Sequence, residues 1–252
     1  METKKIIAVG IFVIVVVTGG FILYWQREAL LNSTKNITRQ NQNQEETIIL
    51  ENKTITDIEK PFNISITYPY VEGLDEFNEK SEKIVNKELS EFKKISLEND
   101  QAVKKIDPES YTTYPREYYL NIEYDKGLIN NEIISTVLNI SNFTGGAHGA
   151  NYFVTLNYNI INKKEIKLAD LFLDQPDYLQ KISIFCTEAL TRQIKEKVGD
   201  DGGSWLETGA GPSLENFSIF LINKDSITFY FPQYQVAAYA LGAFKVEMPY
   251  TK

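Results

Sequence analysis

From Ile6 to Trp25 the chain carries no charged side chain, and Thr18 is the only polar one before Tyr24. At ~1.5 Å of rise per residue, about twenty residues cross the ~30 Å hydrocarbon core of a bilayer. The pattern predicts a transmembrane helix over 6–25, closed by Tyr24 and Trp25, whose amphipathic rings favour the membrane interface. Lys4 and Lys5 precede it, so residues 1–5 are expected to stay inside as a short cytoplasmic tail. A cleaved signal peptide is the competing reading, with Val17-Thr18-Gly19 as a weak cleavage site. The run is longer than the usual ~7–15 apolar residues of such a segment and lacks an A-x-A pattern, which favours an uncleaved signal anchor. Either reading delivers the rest of the chain to the outer side of the cell membrane.

Residues 26–58 change character, with runs such as Gln40-Asn41-Gln42-Asn43-Gln44 that hold too little apolar surface to offset ordering entropy. They are expected to form a flexible stalk. Period-two alternation begins at Phe62, Ile64, Ile66 and Tyr68, with Pro69 expected to end that strand. A helical period follows from near Leu74 through Phe77, Ile84, Val85, Leu89 and Phe92. Alternation resumes at Tyr118, Leu120, Ile122 and Tyr124, and Asp125-Lys126-Gly127 reads as a hairpin turn into Ile134, Thr136, Leu138 and Ile140. A third run, Tyr152 to Ile160, completes an antiparallel meander. Leu179, Ile182, Cys186, Leu190 and Ile194 predict a second helix over about 176–198 that turns Cys186 into the core as a small buried hydrophobe. A Gly-rich loop with Asp200 and Asp201 leads to strands around Phe217–Leu221, Ile227–Phe231 and Phe244–Tyr250. The expected class is α+β, an antiparallel sheet with two main helices packed on it, preceded by the transmembrane helix and the polar stalk.

Among 252 residues, 43% are hydrophobic and 12% aromatic, enough to bury a real core, which excludes disorder as the whole description. The formal net charge of −8 leaves no basic excess for a phosphate backbone, so nucleic acid is not an expected partner. One Cys and one His make neither a disulfide nor a zinc cage. Chemistry would have to come from carboxylates, hydroxyls, amides or that one imidazole, and no metal or cofactor is expected. Two places stand out. In the first, Gly145, Gly146 and Gly149 surround His148, either bringing backbone close to a ligand or allowing a tight connection that the imidazole holds by hydrogen bonding. In the second, Tyr230, Tyr234 and Tyr239, with Gln233 and Gln235, form either a stacking surface for sugars or a protein, or core with satisfied hydroxyls. No nucleophile or orienting carboxylate can be assigned to His148 from the sequence.

The Tyr-Pro strand end with the helix after it, Thr144-Gly145-Gly146-Ala147-His148-Gly149, Asn157-Tyr158-Asn159, and the run from Asn162 to Phe172 resemble the PdaC-like domain. The stretch from Ile227 to Gly242 is similar to the domain of unknown function that usually follows it, of the RsiV type. The resemblance implies a PdaC-like domain over 59–164 and the C-terminal domain over 165–252, packed as one globular unit. It implies a single-pass, extracytoplasmic module of the bacterial envelope, akin to the ectodomain of a lysozyme-sensing anti-sigma factor or the noncatalytic part of a peptidoglycan deacetylase. Residues 1–5 are too short to hold a sigma factor, and a catalytic domain with metal-binding Asp and His residues is not expected from a chain with a single His. The expected function is therefore a noncatalytic binding module that recognises peptidoglycan fragments or a cationic wall-active protein such as lysozyme. The charge of about −9 outside the membrane would steer the latter. An accessory subunit of a membrane complex, or a cell-wall hydrolase built on His148, are the alternatives.

Overall fold

The computed structural model describes residues 48–113, 116–199 and 203–250, of which Ile48 onward belongs to one compact unit. The expected tail, membrane span and most of the stalk lie outside the described residues. No helix among the described residues is long and apolar enough to cross a membrane. The fold is mixed α+β, with two sheets rather than one. Six strands, β1 (Glu51–Asp57), β2 (Phe62–Tyr70), β3 (Tyr118–Ile129), β4 (Ile133–Phe143), β5 (Ala150–Asn159) and β6 (Lys164–Glu165), lie side by side in chain order. Neighbours are antiparallel except β2 and β3, which run parallel because the 32-residue helix α1 (Asp75–Ile106) and the short α2 (Pro108–Thr113) carry the chain back between them. A second sheet orders β7 (Phe220–Ile222), β8 (Ser226–Phe231) and β9 (Phe244–Pro249), covered by α3 (Tyr178–Val198).

Three expectations give way here. The end of the expected stalk is ordered as β1, because its backbone pairs with β2 from Glu51 opposite Tyr70 to Asp57 opposite Ile64. Pro69 does not end β2; pairing with β3 stops at Ile66, so Pro69 borders only β1 and its missing N–H breaks no ladder toward β3. The two main helices do not share one sheet: α1 covers the six-stranded sheet and α3 the three-stranded one.

Each face of the six-stranded sheet has its own cover. Toward α1 point Ile64, Ile66, Leu120, Ile122, Leu138 and Leu156, all nearly inaccessible, and Phe77, Val85 and Phe92 of the helix pack onto them. Tyrosines of the sheet also reach up to the helix. The Tyr158 hydroxyl donates to Glu76 at 2.8 Å, Tyr152 to Glu88, and Tyr118 to Asp100 at 3.0 Å. Burial, then the carboxylate beside it, pushes the Tyr118 and Tyr158 phenols up to about 12.

The opposite face receives β7 edge-on. The Phe220 carbonyl accepts from Thr155 Oγ1 at 2.6 Å and Asn157 Nδ2 at 2.9 Å, and the Ile222 N–H donates to Ser135 Oγ at 2.7 Å. Gly127 lies under the same strand, where a β-carbon would stand 2.3 Å from the Ile222 carbonyl oxygen. This explains a fourth difference. Asp125-Lys126-Gly127 is not a hairpin turn; β3 runs through it with a bulge before Ile129, and the turn falls after Asn130, whose side chain accepts from the N–H groups of Glu132 and Ile133. The stretch expected as a Gly-rich loop contains a short helix, α4 (Gly203–Gly209), while Asp200 and Asp201 lie outside the described residues.

Gly127→Ala is expected to lower the unfolding free energy by about 1–3 kcal/mol through overpacking, read as a lower urea midpoint. An unchanged midpoint would contradict the close approach. The hydrogen bond from Tyr158, and Lys163 beside it, hold the Glu76 carboxyl below its ordinary value, and Lys93 does the same for Asp57. A depressed folded-state value contributes stability that is present above the unfolded value and lost as pH falls through the folded one. Urea midpoints should therefore decline as pH drops below the ordinary carboxylate range, and less steeply in Tyr158→Phe; equal slopes would remove the tyrosine's role.

Candidate functional site

The two stretches singled out in the sequence, 145–149 and 230–239, meet in space. The loop between β4 and β5 carries His148 at its exposed tip, and the segment between β8 and β9 brings Tyr234 and Tyr239 against it. The His148 ring lies 4.0 Å, centroid to centroid, from Tyr239 with a 32° tilt, and Tyr234 lies 5.5 Å from Tyr239. One backbone atom organises the group. The Gly149 carbonyl oxygen accepts from the Tyr239 hydroxyl at 2.9 Å and contacts His148 Nδ1 at 2.8 Å. A carbonyl only accepts, so Nδ1 carries the proton and Nε2 faces the Tyr234 hydroxyl, 3.4 Å away. Asn151 N–H donates to Gln233 Oε1 at 3.3 Å, a further tie between the two segments.

Tyr234 is the unusual member. Its side chain is 52% exposed and its φ is +70°, left-handed backbone that costs a bulky residue about 1–2 kcal/mol. Glycine or asparagine is the ordinary occupant of such a position, whereas here a phenol is held out to solvent at that cost. The cluster offers aromatic faces, two hydroxyls and an imidazole, and none of its members is a carboxylate. It suits stacking and hydrogen bonding to an uncharged polar ring.

The remaining candidates separate from this surface. Tyr230 is buried, donates to Asp125 at 2.7 Å and lies under the Lys245 ammonium; burial first, then Asp125, pushes its phenol far above the ordinary value. It belongs to the interior, not to a binding surface. Gly145, at φ +99°, turns the loop where a β-carbon would meet Tyr118 at 2.9 Å, so its role is local geometry. Gly146 is exposed beside His148, where a β-carbon would make only an ordinary contact, 4.0 Å, with the His148 carbonyl oxygen. Gln235 donates to the Gly209 and Asn216 carbonyls and serves the loop. Cys186 is fully buried, its thiol pushed up to about 12 by burial. Tyr119, 40% exposed, was not singled out by the sequence; its hydroxyl lies where a β-carbon on Gly149 would come within 2.7 Å. The signal was an aromatic residue at an outward position of an alternating strand.

Elsewhere a cleft of about 610 Å³ opens between the end of β5 and residues 170–175, with Glu132, Lys164, Asp170, Phe172, Asp174 and Tyr250 in its walls. Asp170 there accepts from the Lys167 N–H, and Glu165 pairs with Lys80 at 2.8 Å. Among the described residues no three of His, Cys, Asp and Glu come together as a metal-binding set.

Comparison with known proteins finds two family models along the chain. Residues 55–151 match the family model described as deacetylase PdaC, and residues 169–251 match the protein family of unknown function DUF3298. The chain is 29% identical over 247 residues to the peptidoglycan-N-acetylmuramic acid deacetylase PdaC of Bacillus subtilis, covering 96% of this chain and 48% of that protein. It is 29% identical over 115 residues to an esterase of Mycobacterium tuberculosis, covering 46% of this chain and 48% of the esterase. The chain thus spans about half the length of these curated relatives. A DUF3298 family protein from Pseudomonas aeruginosa shares the fold, with a TM-score of 0.53 at 11% identity over 81% of this chain and 92% of the other. A member of the same family from Bacteroides fragilis aligns with a TM-score of 0.48 at 24% identity over 80% of this chain and 88% of that one. The chain therefore carries a PdaC-like domain followed by a DUF3298 C-terminal domain.

Proposed function

We propose that the chain is a noncatalytic carbohydrate-binding module of the bacterial cell envelope, anchored by residues 6–25 and presenting its folded part outside the membrane to peptidoglycan strands. The observation that carries this reading is the Tyr234–Tyr239–His148 cluster, with Tyr234 and His148 exposed and Tyr239 and His148 tied to the Gly149 carbonyl, none of its members a carboxylate. Aromatic faces stack on the apolar faces of sugar rings while hydroxyl and imidazole groups meet their hydroxyls. The similarity to a deacetylase of peptidoglycan supplies the polymer. A cationic wall-active protein such as lysozyme is the second reading, favoured by the 21 basic against 30 acidic residues from Ile48 onward.

The full-length chain, mixed with insoluble peptidoglycan and centrifuged, is expected to pellet with it. Replacing both Tyr234 and Tyr239 by Ala should weaken retention about tenfold or more. Stacking is little screened, so about 0.5 M salt should leave retention in place, whereas salt-sensitive capture of lysozyme without glycan retention would select the second reading. The strained backbone gives an independent check. Tyr234→Gly should be more stable than Tyr234→Ala by about 1 kcal/mol in urea unfolding, since only glycine is at ease at positive φ, while both lose retention. Equal glycan retention by all three proteins would remove Tyr234 from the site, and no retention of the unaltered chain would end the carbohydrate reading.

A further inference from the structure

The sheet face behind His148 continues past the cluster, and the remainder of it has no assigned purpose. Along β3, β4 and β5 the side chains that share the face used by Ser135 and Asn157 include two cross-strand rows. Tyr119 stands opposite Phe143, their rings stacked at 6.2 Å with a 26° tilt. Next to them Asn121 stands opposite Ser141, which stands opposite Asn151. The three-stranded sheet covers this face around Ser135 and Asn157, but at the other end Tyr119 is 40% exposed, and Asn121, Ser141 and Phe143 are only half-buried. Asn151 donates from its amide to Asn139 at 3.0 Å, while the Tyr119 and Ser141 hydroxyls and the Asn121 amide have no hydrogen-bond partner among the described residues.

Gly149 joins this region to the cluster. Its carbonyl holds Tyr239 and His148, and its α-carbon is so close to the Tyr119 hydroxyl that any side chain would collide there. Two aromatic groups, Tyr234–Tyr239–His148 and Tyr119–Phe143, therefore lie on either side of Gly149. Alongside them lies a row of short amide and hydroxyl groups, and none of these residues is charged.

We propose that the Tyr119–Phe143 pair, with Asn121 and Ser141, forms a second sugar subsite beside the first, so that the ligand is an extended oligosaccharide lying across both domains. This rests on the carbohydrate reading and adds to it the length of the ligand and the residues that sense it. Two stacking platforms set side by side reward a chain of sugars over a single one, because the second contact is made without a second loss of translational freedom.

The test uses the full-length chain and β-1,4-linked N-acetylglucosamine oligomers of one to six sugars, with affinity followed by calorimetry. Affinity is expected to rise about tenfold or more between the shortest and the longer oligomers. Tyr119→Ala should erase that rise while leaving the affinity for the shortest binding oligomer unchanged, and Asn121→Ala should reduce it in part. Tyr239→Ala, in the first subsite, should weaken every length alike. Thermal melts establish that each variant is folded, and Tyr119→Phe, which keeps the ring, should retain most of the length dependence. Oligomers that bind with no length dependence, or a length dependence untouched by Tyr119→Ala, would overturn the second subsite and leave the first standing. Failure of every oligomer to bind would overturn this inference, while retention on insoluble peptidoglycan decides the carbohydrate reading separately.

Discussion

The arrangement depends on how the edge of one sheet is satisfied by the face of another. β7 is only three residues long and has β8 on one side alone, so its remaining backbone groups must find partners in an interior where an unpaired polar group costs about 1–3 kcal/mol. The chain solves this with side chains in place of another strand. Thr155, Asn157 and Ser135 rise from β4 and β5 to meet the Phe220 carbonyl and the Ile222 N–H, and Ser135 is itself bonded to Asn157. Fully connected networks of this kind specify one docking geometry, since sliding by a residue would strand several groups at once. Gly127 removes the last obstacle to the approach. The segments matched by the two families are thereby fastened at one fixed register.

That register sets the site. With β7 and β8 fixed against β4 and β5, the connection that leaves β8 at Phe231 emerges beside the start of β5, and Tyr234 and Tyr239 arrive at the loop that holds His148. The ties there are weaker and more exposed than those under β7. The cluster is a consequence of the docking, and a change that loosened Ser135 or Asn157 would be felt at His148 without touching it.

Much of the fold was legible because one face of most strands is buried and the other is not. Ile64, Ile66, Leu120 and Ile122 alternate as the period of two requires, and α1 and α3 show the helical period, with Cys186 buried as expected. What was not legible is what depends on distant partners. Gly127 resembles a turn residue in every local respect, and only the strand packed above it explains why the glycine is there. Glu51–Asp57 has no apolar face to declare it a strand, since its order comes from β2. At the site, His148 and the tyrosines drew notice as separate patches, but their meeting is long-range. Tyr230 has the same chemistry as Tyr234 and Tyr239 yet lies on the face of β8 that packs against Val137 and Phe153 of the larger sheet, where its hydroxyl reaches Asp125 instead of solvent.

The contrast between Tyr230 and Tyr234 bears on what the surface is for. Both phenols belong to one short segment, and the inner one follows every rule for a buried tyrosine: ring packed on Phe153, hydroxyl on a carboxylate, ammonium over its face. The outer one breaks two rules together, standing half out in water on a backbone that glycine would hold more comfortably. Folding gains little from such a residue, because its ring contacts are partial and its hydroxyl has only a long contact to His148. Under the proposed carbohydrate reading, a position that costs stability and returns little of it in packing is accounted for by what approaches from outside. The neighbouring rings and the amides beside them suit a flat, polar ring better than a cation, which the acidic groups elsewhere on the surface would serve better.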